Sequence, residues 1–275
     1  MILNLDHTFK PLGDNQVEFE SFIFSGGEPH IKIKTDLSSV SKVTITTRIC
    51  SFNDFGVLVC AVDAIKRCGI KEIELLIPYF PGARQDRVMV PGEPLTVKVY
   101  AELLNSLNLN KVMIFDPHSE VTSAVLENCE VITNYNFIKK VIENIGEDVL
   151  LISPDGGALK KIYKVSEYLG GIAVVECSKK RNVTNGKLEG FKVYEEDLEG
   201  KHCLIVDDIC DGGGTFMGLA DELKKKNAGD LYLAVSHGIF SKGTENLKQH
   251  FTEIYTTNSF KDVEAVEQIK LEDII

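Results

Sequence analysis

Residues 204–216 read LIVDDICDGGGTF, which sets Asp207, Asp208 and Asp211 directly before Gly212, Gly213, Gly214 and the hydroxyl of Thr215. A stable core does not need acid packed this densely against glycine. Glycines let backbone N–H groups turn toward a ligand, and the start of a helix favours an anion. Carboxylates facing a phosphate would repel it, so the stretch divides. Phosphate belongs on the glycine and threonine end, and polyol hydroxyls belong on Asp207 and Asp208. That division has the shape of a ribose 5-phosphate site. Neither familiar nucleotide loop fits. There is no G-x-x-x-x-G-K-[ST], and Met217 stands where G-x-G-x-x-G requires glycine.

The elements that must position these residues follow from the apolar pattern. Val43–Thr46, Glu74–Pro78 and Val112–Phe115 read as strands. Helical spacing of Phe55, Leu58, Val59, Val62 and Ile65 predicts a helix over 54–68, and a second helix covers 95–107. The rhythm returns with strands at 148–153, 171–176, 204–206 and 230–236 and helices at 157–169 and 215–226. Alternating β and α units imply mostly parallel sheets covered by helices. The fold class is α/β, with two such sets divided near residues 135–147. We expect domains at 1–135 and 136–275, the last residues packing back on the first. Sites in such sheets lie beyond the carboxyl ends of the strands. Asp116 and His118, Asp155, and Asp207 with Asp208 all follow strands in this way.

Composition excludes some classes. The 275 residues carry 30 Lys and Arg against 41 Asp and Glu, a net charge of −11. That argues against a general nucleic-acid binder, which needs a basic face to release counterions. No apolar run approaches the ~20 residues of a membrane span. The seven cysteines show no metal-ligand or disulfide spacing. Dispersed thiols and a polar N-terminal stretch predict a cytoplasmic protein.

Residues 206–215 resemble the PRPP motif of type I phosphoribosyltransferases and of the ribose-phosphate diphosphokinase (PRPP synthetase) family. The remaining segments select the second. FSGGE (24–28) resembles that family's nucleotide loop. PYFPGARQDR (78–87) with GEPLTVK (92–98) is similar to its ATP-binding stretch. DPHS (116–119) and SPDGG (153–157) are similar to its metal segments, and KKR (179–181) stands where it has a catalytic flexible loop.

The resemblance implies two tandem phosphoribosyltransferase-like domains and transfer of diphosphate from ATP to the C1 hydroxyl of ribose 5-phosphate. It further implies that Lys179 and Arg181 act on the transferred group. Phe24, Glu28, Arg84 and Gln85 would bind ATP, with Phe24 and Glu28 near the base. Asp207, Asp208, Asp211, Gly212, Gly213, Gly214 and Thr215 would hold ribose 5-phosphate, and His118 and Asp155 would hold Mg²⁺. It implies a homo-oligomer, dimer or higher, in which the FSGGE-like loop reaches a neighbouring subunit's ATP site.

Two rival readings are a PRPP-consuming phosphoribosyltransferase and a non-catalytic regulatory homologue. The N-terminal α/β half counts against the first, and the retained Lys179, Arg181, Asp155 and His118 against the second. Three positions depart from the family: Gly26 replaces an aspartate, Pro117 an aliphatic residue, and the triple glycine a threonine-alanine-glycine loop. Loss of the acceptor at Gly26 predicts weaker discrimination between ATP and GTP or ITP.

Overall fold

The computed structural model describes residues 1–181 and 188–275, with the backbone only at 180, 181, 188 and 189. The chain divides into two compact units. The first holds residues 1–133 with 271–273 and 275, and the second holds 134–270 with 274.

In the first unit, β1 (Ile2–Asn4), β4 (Lys42–Thr46), β5 (Glu72–Leu76), β6 (Lys111–Phe115) and β7 (Cys129–Ile132) form one sheet in the order β1-β4-β5-β6-β7. Every pairing in it is parallel. Helix α1 (Phe52–Arg67) shows why the local sequence folds as it does. Ser51 accepts a hydrogen bond from the Asp54 N–H, and the Asp54 carboxylate accepts one from the Ser51 N–H, a reciprocal cap. Phe55, Leu58, Ala61, Val62 and Ile65 line its buried face. Burying each large apolar side chain contributes about 1.5–3 kcal/mol. Helices α2 (Thr96–Asn105) and α3 (Glu120–Val125) follow β5 and β6. A separate antiparallel hairpin, β2 (Phe19–Ile23) with β3 (Pro29–Ile33), turns at residues 24–28.

The second unit opens with α4 (Tyr135–Ile145), a helix where the sequence reading placed only a divide. Phe137, Ile138 and Val141 bury one face of it, and Gly146 ends it at φ 69°. The seven-stranded sheet runs β10-β9-β8-β11-β12-β13-β14. Its strands are β8 (Val149–Ser153), β9 (Val174–Arg181), β10 (Leu188–Val193), β11 (His202–Cys210), β12 (Leu231–Gly238), β13 (Glu253–Thr257) and β14 (Glu267–Ile269). Only the β9–β10 pair is antiparallel. Helix α5 (Leu159–Tyr168) follows β8, and α6 (Gly214–Lys225) follows β11.

Two sequence expectations are corrected. Strand β11 does not end at Val206 but runs on to Cys210, because Asp207, Ile209 and Cys210 keep pairing with Val235, His237 and Gly238 of β12. Lys179 does not lie in a loop. It belongs to β9, opposite Phe191 of β10.

Candidate active site

In the second unit the chain reverses its direction of travel across the sheet between β8 and β11. Strand β9 adds on one side of β8, and β12 adds on the far side of β11. The β8–β11 pairing stops at Ile152 and Ile205, while β11 continues on β12 alone. The strand ends beyond Ile152 are thus the switch point, the place where open α/β sheets bind ligands. Asp155 stands on one side, and Asp207 and Asp208 on the other.

Asp155 is held in place by the start of its own loop. Its Oδ1 accepts hydrogen bonds from the N–H groups of Gly157 at 2.9 Å and Ala158 at 3.1 Å. Its Oδ2 accepts one from Lys179 Nζ at 2.6 Å. Burial alone would raise the Asp155 carboxyl, but the Lys179 ammonium and these N–H groups hold it below its ordinary value. Lys179 reaches Asp155 because β9 is the strand next to β8. The backbone of Arg181 ends β9, and its side chain lies outside the described residues, as do residues 182–187 of the expected flexible loop.

Asp207 and Asp208 carry the opposite electrostatics. Asp208 is only 8% exposed. Asp207 accepts a hydrogen bond from the Asp208 N–H at 3.0 Å. Burial, then the neighbouring Asp208 charge, with Asp155 adding to both, pushes the Asp207 carboxyl well above its ordinary range. Two adjacent acids are thus held where ionising both is costly. Hydroxyl donors from a ligand would relieve that cost.

Past Cys210 the backbone turns through Asp211, Gly212 and Gly213 into α6. Gly213 caps the helix at φ +75°, and a Cβ there would lie 2.9 Å from Leu247 Cδ2. Both facts require glycine. The helix has no side-chain cap, so its first N–H groups face the Gly214–Thr215 end. Asp211 Oδ1 accepts a hydrogen bond from Ser241 Oγ at 2.5 Å. The Cys210 thiol is buried and pushed up to about 12 by that burial, which makes it a core filler and not a nucleophile.

The remaining expected residues lie in the first unit, on separate elements. Phe24 and Glu28 close the β2–β3 turn, where the Phe24 N–H donates to Glu28 O at 2.9 Å. Phe24 is 52% exposed and meets Phe22 edge-on, with ring centroids 4.8 Å apart. Arg84 and Gln85 are exposed in the loop between β5 and α2. His118 follows β6 in a strained segment, since the buried Asp116 takes φ 37°, a conformation uncommon for a residue with a side chain.

Asp86, next to the expected Arg84 and Gln85, is more buried than the sequence suggested. Its side chain is 5% exposed and bonds Arg87 Nε at 3.0 Å. Burial opposes ionisation, but Arg87 and the nearby His118 hold this carboxyl below its ordinary value. Nothing in RQDR distinguishes a buried aspartate from a surface ion-pair cluster.

Comparison with known proteins places this geometry. A family model described as the N-terminal domain of ribose phosphate pyrophosphokinase matches residues 7–107. A model described as the phosphoribosyl transferase domain matches 129–273. A ribose-phosphate pyrophosphokinase from Mycoplasma genitalium is 31% identical, over 84% of this chain and 69% of the relative. The chain belongs to the ribose-phosphate pyrophosphokinase family. One from Thermococcus kodakarensis is 30% identical, over 90% of this chain and 87% of the relative.

The fold agrees with that membership. The crystal structure of a phosphoribosylpyrophosphate synthetase from Mycobacterium smegmatis superimposes with a TM-score of 0.83 at 20% identity, covering 99% of this chain and 95% of that one. The match over residues 7–107 is to the N-terminal domain of ribose phosphate pyrophosphokinase, while the phosphoribosyl transferase model covers only 129–273. No helix is long and apolar enough to cross a membrane among the described residues.

Proposed function

We infer that the chain transfers the β,γ-diphosphate of ATP to the C1 hydroxyl of ribose 5-phosphate, giving PRPP and AMP. What supports this reading is the Lys179–Asp155 pair after β8, with Asp207 and Asp208 on the adjacent β11, in a chain of this family. Asp207 and Asp208 accept hydrogen bonds from the ribose hydroxyls. The N–H groups at Gly212, Gly213 and Gly214 and the Thr215 hydroxyl take the 5-phosphate, while Asp211 fixes the loop through Ser241. Phosphoryl-group transfer needs mainly positioning and neutralisation of charge. Lys179 supplies that charge once it leaves Asp155, and Arg181 adds a second cation. Phe24 and Glu28 hold the base of ATP, and Arg84 and Gln85 hold its phosphates.

Mg²⁺ is the implied metal. It keeps several waters and binds through one or two carboxylates plus substrate phosphates, so it needs no closed protein cage. Asp155 fits that demand as a partly exposed carboxylate already held ionised, its side chain 29% exposed. We assign Asp155 in the second unit and His118 in the first to hold Mg²⁺ ions. Bound there, such ions would neutralise phosphate charge.

The working form is a homo-oligomer. Phe22, Ile23 and Phe24 are 48%, 54% and 52% exposed on the hairpin, which supports a neighbouring subunit as their cover. Incubating the protein with ATP, ribose 5-phosphate and Mg²⁺ tests the activity. AMP and PRPP should appear in equal amounts. Consumption of supplied PRPP with a base, and no PRPP synthesis, would instead establish a phosphoribosyltransferase.

A further inference from the structure

The triple glycine leaves the phosphate end of the loop without most of the side chain that a threonine-alanine-glycine loop offers. The structure puts another side chain there. A Cβ built on Gly212 would lie 3.4 Å from both Cδ and Cε of Lys242. The lysine stem therefore lies over the loop at the place where residue 212 has no side chain of its own.

Backbone contacts fix that position. Beyond β12 the chain is laced onto the end of β11. The N–H groups of Ile239 and Phe240 donate to Cys210 O at 2.9 and 3.1 Å, and the Ser241 N–H donates to Asp211 O at 3.1 Å. The Ser241 hydroxyl adds its bond to Asp211 Oδ1. The Gly243 N–H donates to Phe240 O at 3.0 Å, and the turn bends through Phe240 at φ 45° and Gly243 at φ 71°. Lys242 sits at the bend. Among the described residues, no hydrogen bond or ion pair is made by Lys242 Nζ. Every other charged side chain of this loop is an acid: Asp207, Asp208 and Asp211. A phosphate dianion entering here meets three acids, with only the backbone N–H groups and the neutral Thr215 hydroxyl to offset them.

We propose that Lys242 is a ribose 5-phosphate-binding residue, its ammonium pairing with the 5-phosphate over Gly212. This rests on the reading of the 207–215 loop as a sugar-phosphate site. Nζ is a mobile point charge on a four-carbon stem, so it suits a phosphate without demanding one geometry. Lys242 takes over, from the neighbouring strand's loop, what the residue at 212 would otherwise supply. Its effect falls on the sugar phosphate and not on ATP.

The test compares the unmodified protein with Lys242→Ala and Lys242→Arg by calorimetric titration of ribose 5-phosphate, which does not depend on turnover. Steady-state kinetics on both substrates accompany it. Lys242→Ala should weaken ribose 5-phosphate binding by about 10-fold or more, the scale of one charge-assisted hydrogen bond. KM for ATP and kcat should stay within about 2-fold, and Lys242→Arg should keep most of the affinity. Unchanged ribose 5-phosphate affinity in a folded Lys242→Ala protein overturns the proposal. If ribose 5-phosphate binds with this dependence on Lys242 but no PRPP forms, the proposal stands and the diphosphokinase reading fails.

Discussion

Lys179 Nζ donates a 2.6 Å hydrogen bond to Asp155 Oδ2, so the cation assigned to the transferred group and the carboxylate assigned to the metal are held by each other. The pair is partly sheltered, with side chains 19% and 29% exposed. It parks Lys179 at the switch point and keeps Asp155 ionised. Binding of metal and nucleotide would exchange this contact for others, with each group already in place.

Lys179→Ala should therefore lower kcat by about 100-fold or more with little change in KM for either substrate, the scale of losing one preorganised charge contact. Steady-state kinetics measure it. A large rise in KM at unchanged kcat would show that Lys179 only binds substrate.

Asp207 sets function against stability. Its folded-state carboxyl is raised above the unfolded value by burial and by Asp208. The ligand-free protein should therefore lose stability as pH rises from the ordinary carboxylate range through the raised value. Asp207→Asn removes that loss, so its melting temperature at pH 7 should exceed that of the unmodified protein. The same change should weaken ribose 5-phosphate binding by about 1.5–3 kcal/mol, one charge-assisted hydrogen bond. Thermal melts with and without ribose 5-phosphate read both effects. A destabilised variant with unchanged sugar affinity would contradict both parts.

Some of this was legible in the sequence, and the reasons differ by element. Helix α1 was plain because Phe55, Leu58, Val62 and Ile65 repeat at helical spacing, though its start at Phe52, capped by Ser51 and Asp54, lies two residues before the expected one. The acids of β11 were found by residue type but placed in a loop. Polar residues look like a strand end, whereas pairing with β12 carries the strand three residues beyond Asp207. The β2–β3 hairpin gave no alternation to read, since four of the five β2 residues are exposed. Lys242 could not be found locally, because its role follows from a loop brought over Gly212 by the neighbouring strand.

The proposed base recognition involves Gly26 and Glu28. Gly26 does not take a left-handed φ, while Gly27 does at +97°. A Cβ on Gly26 would lie 2.6 and 2.7 Å from the two Glu28 carboxylate oxygens. Glu28 thus fills the place that an aspartate at 26 would use. We propose that it accepts the hydrogen bond of the adenine amino group, which would restore the base preference whose weakening the glycine at 26 alone predicts. Glu28→Ala should lower the preference for ATP over ITP in kcat/KM by about 10-fold or more. Adding Gly26→Asp to that variant should recover preference, since the backbone tolerates a side chain and the crowding is gone. An unmodified enzyme that does not distinguish ATP from ITP would remove this role from Glu28.

Activity should depend on assembly. If the hairpin tip carrying Phe24 completes a neighbouring subunit's ATP site, specific activity falls on dilution below the dissociation constant of the oligomer. Sedimentation and activity measured over one concentration series decide it. Full activity from a demonstrated monomer would confine the site to a single chain.

The central claim is that the diphosphate moves as one unit from ATP to the sugar. Reaction of ribose 5-phosphate and Mg²⁺ with ATP labelled at its β-phosphorus follows that unit directly. The label should pass wholly into PRPP and leave unlabelled AMP, at a rate that drops about 100-fold in Lys179→Ala. Label remaining in ADP, or no labelled sugar product from folded protein, would contradict the account.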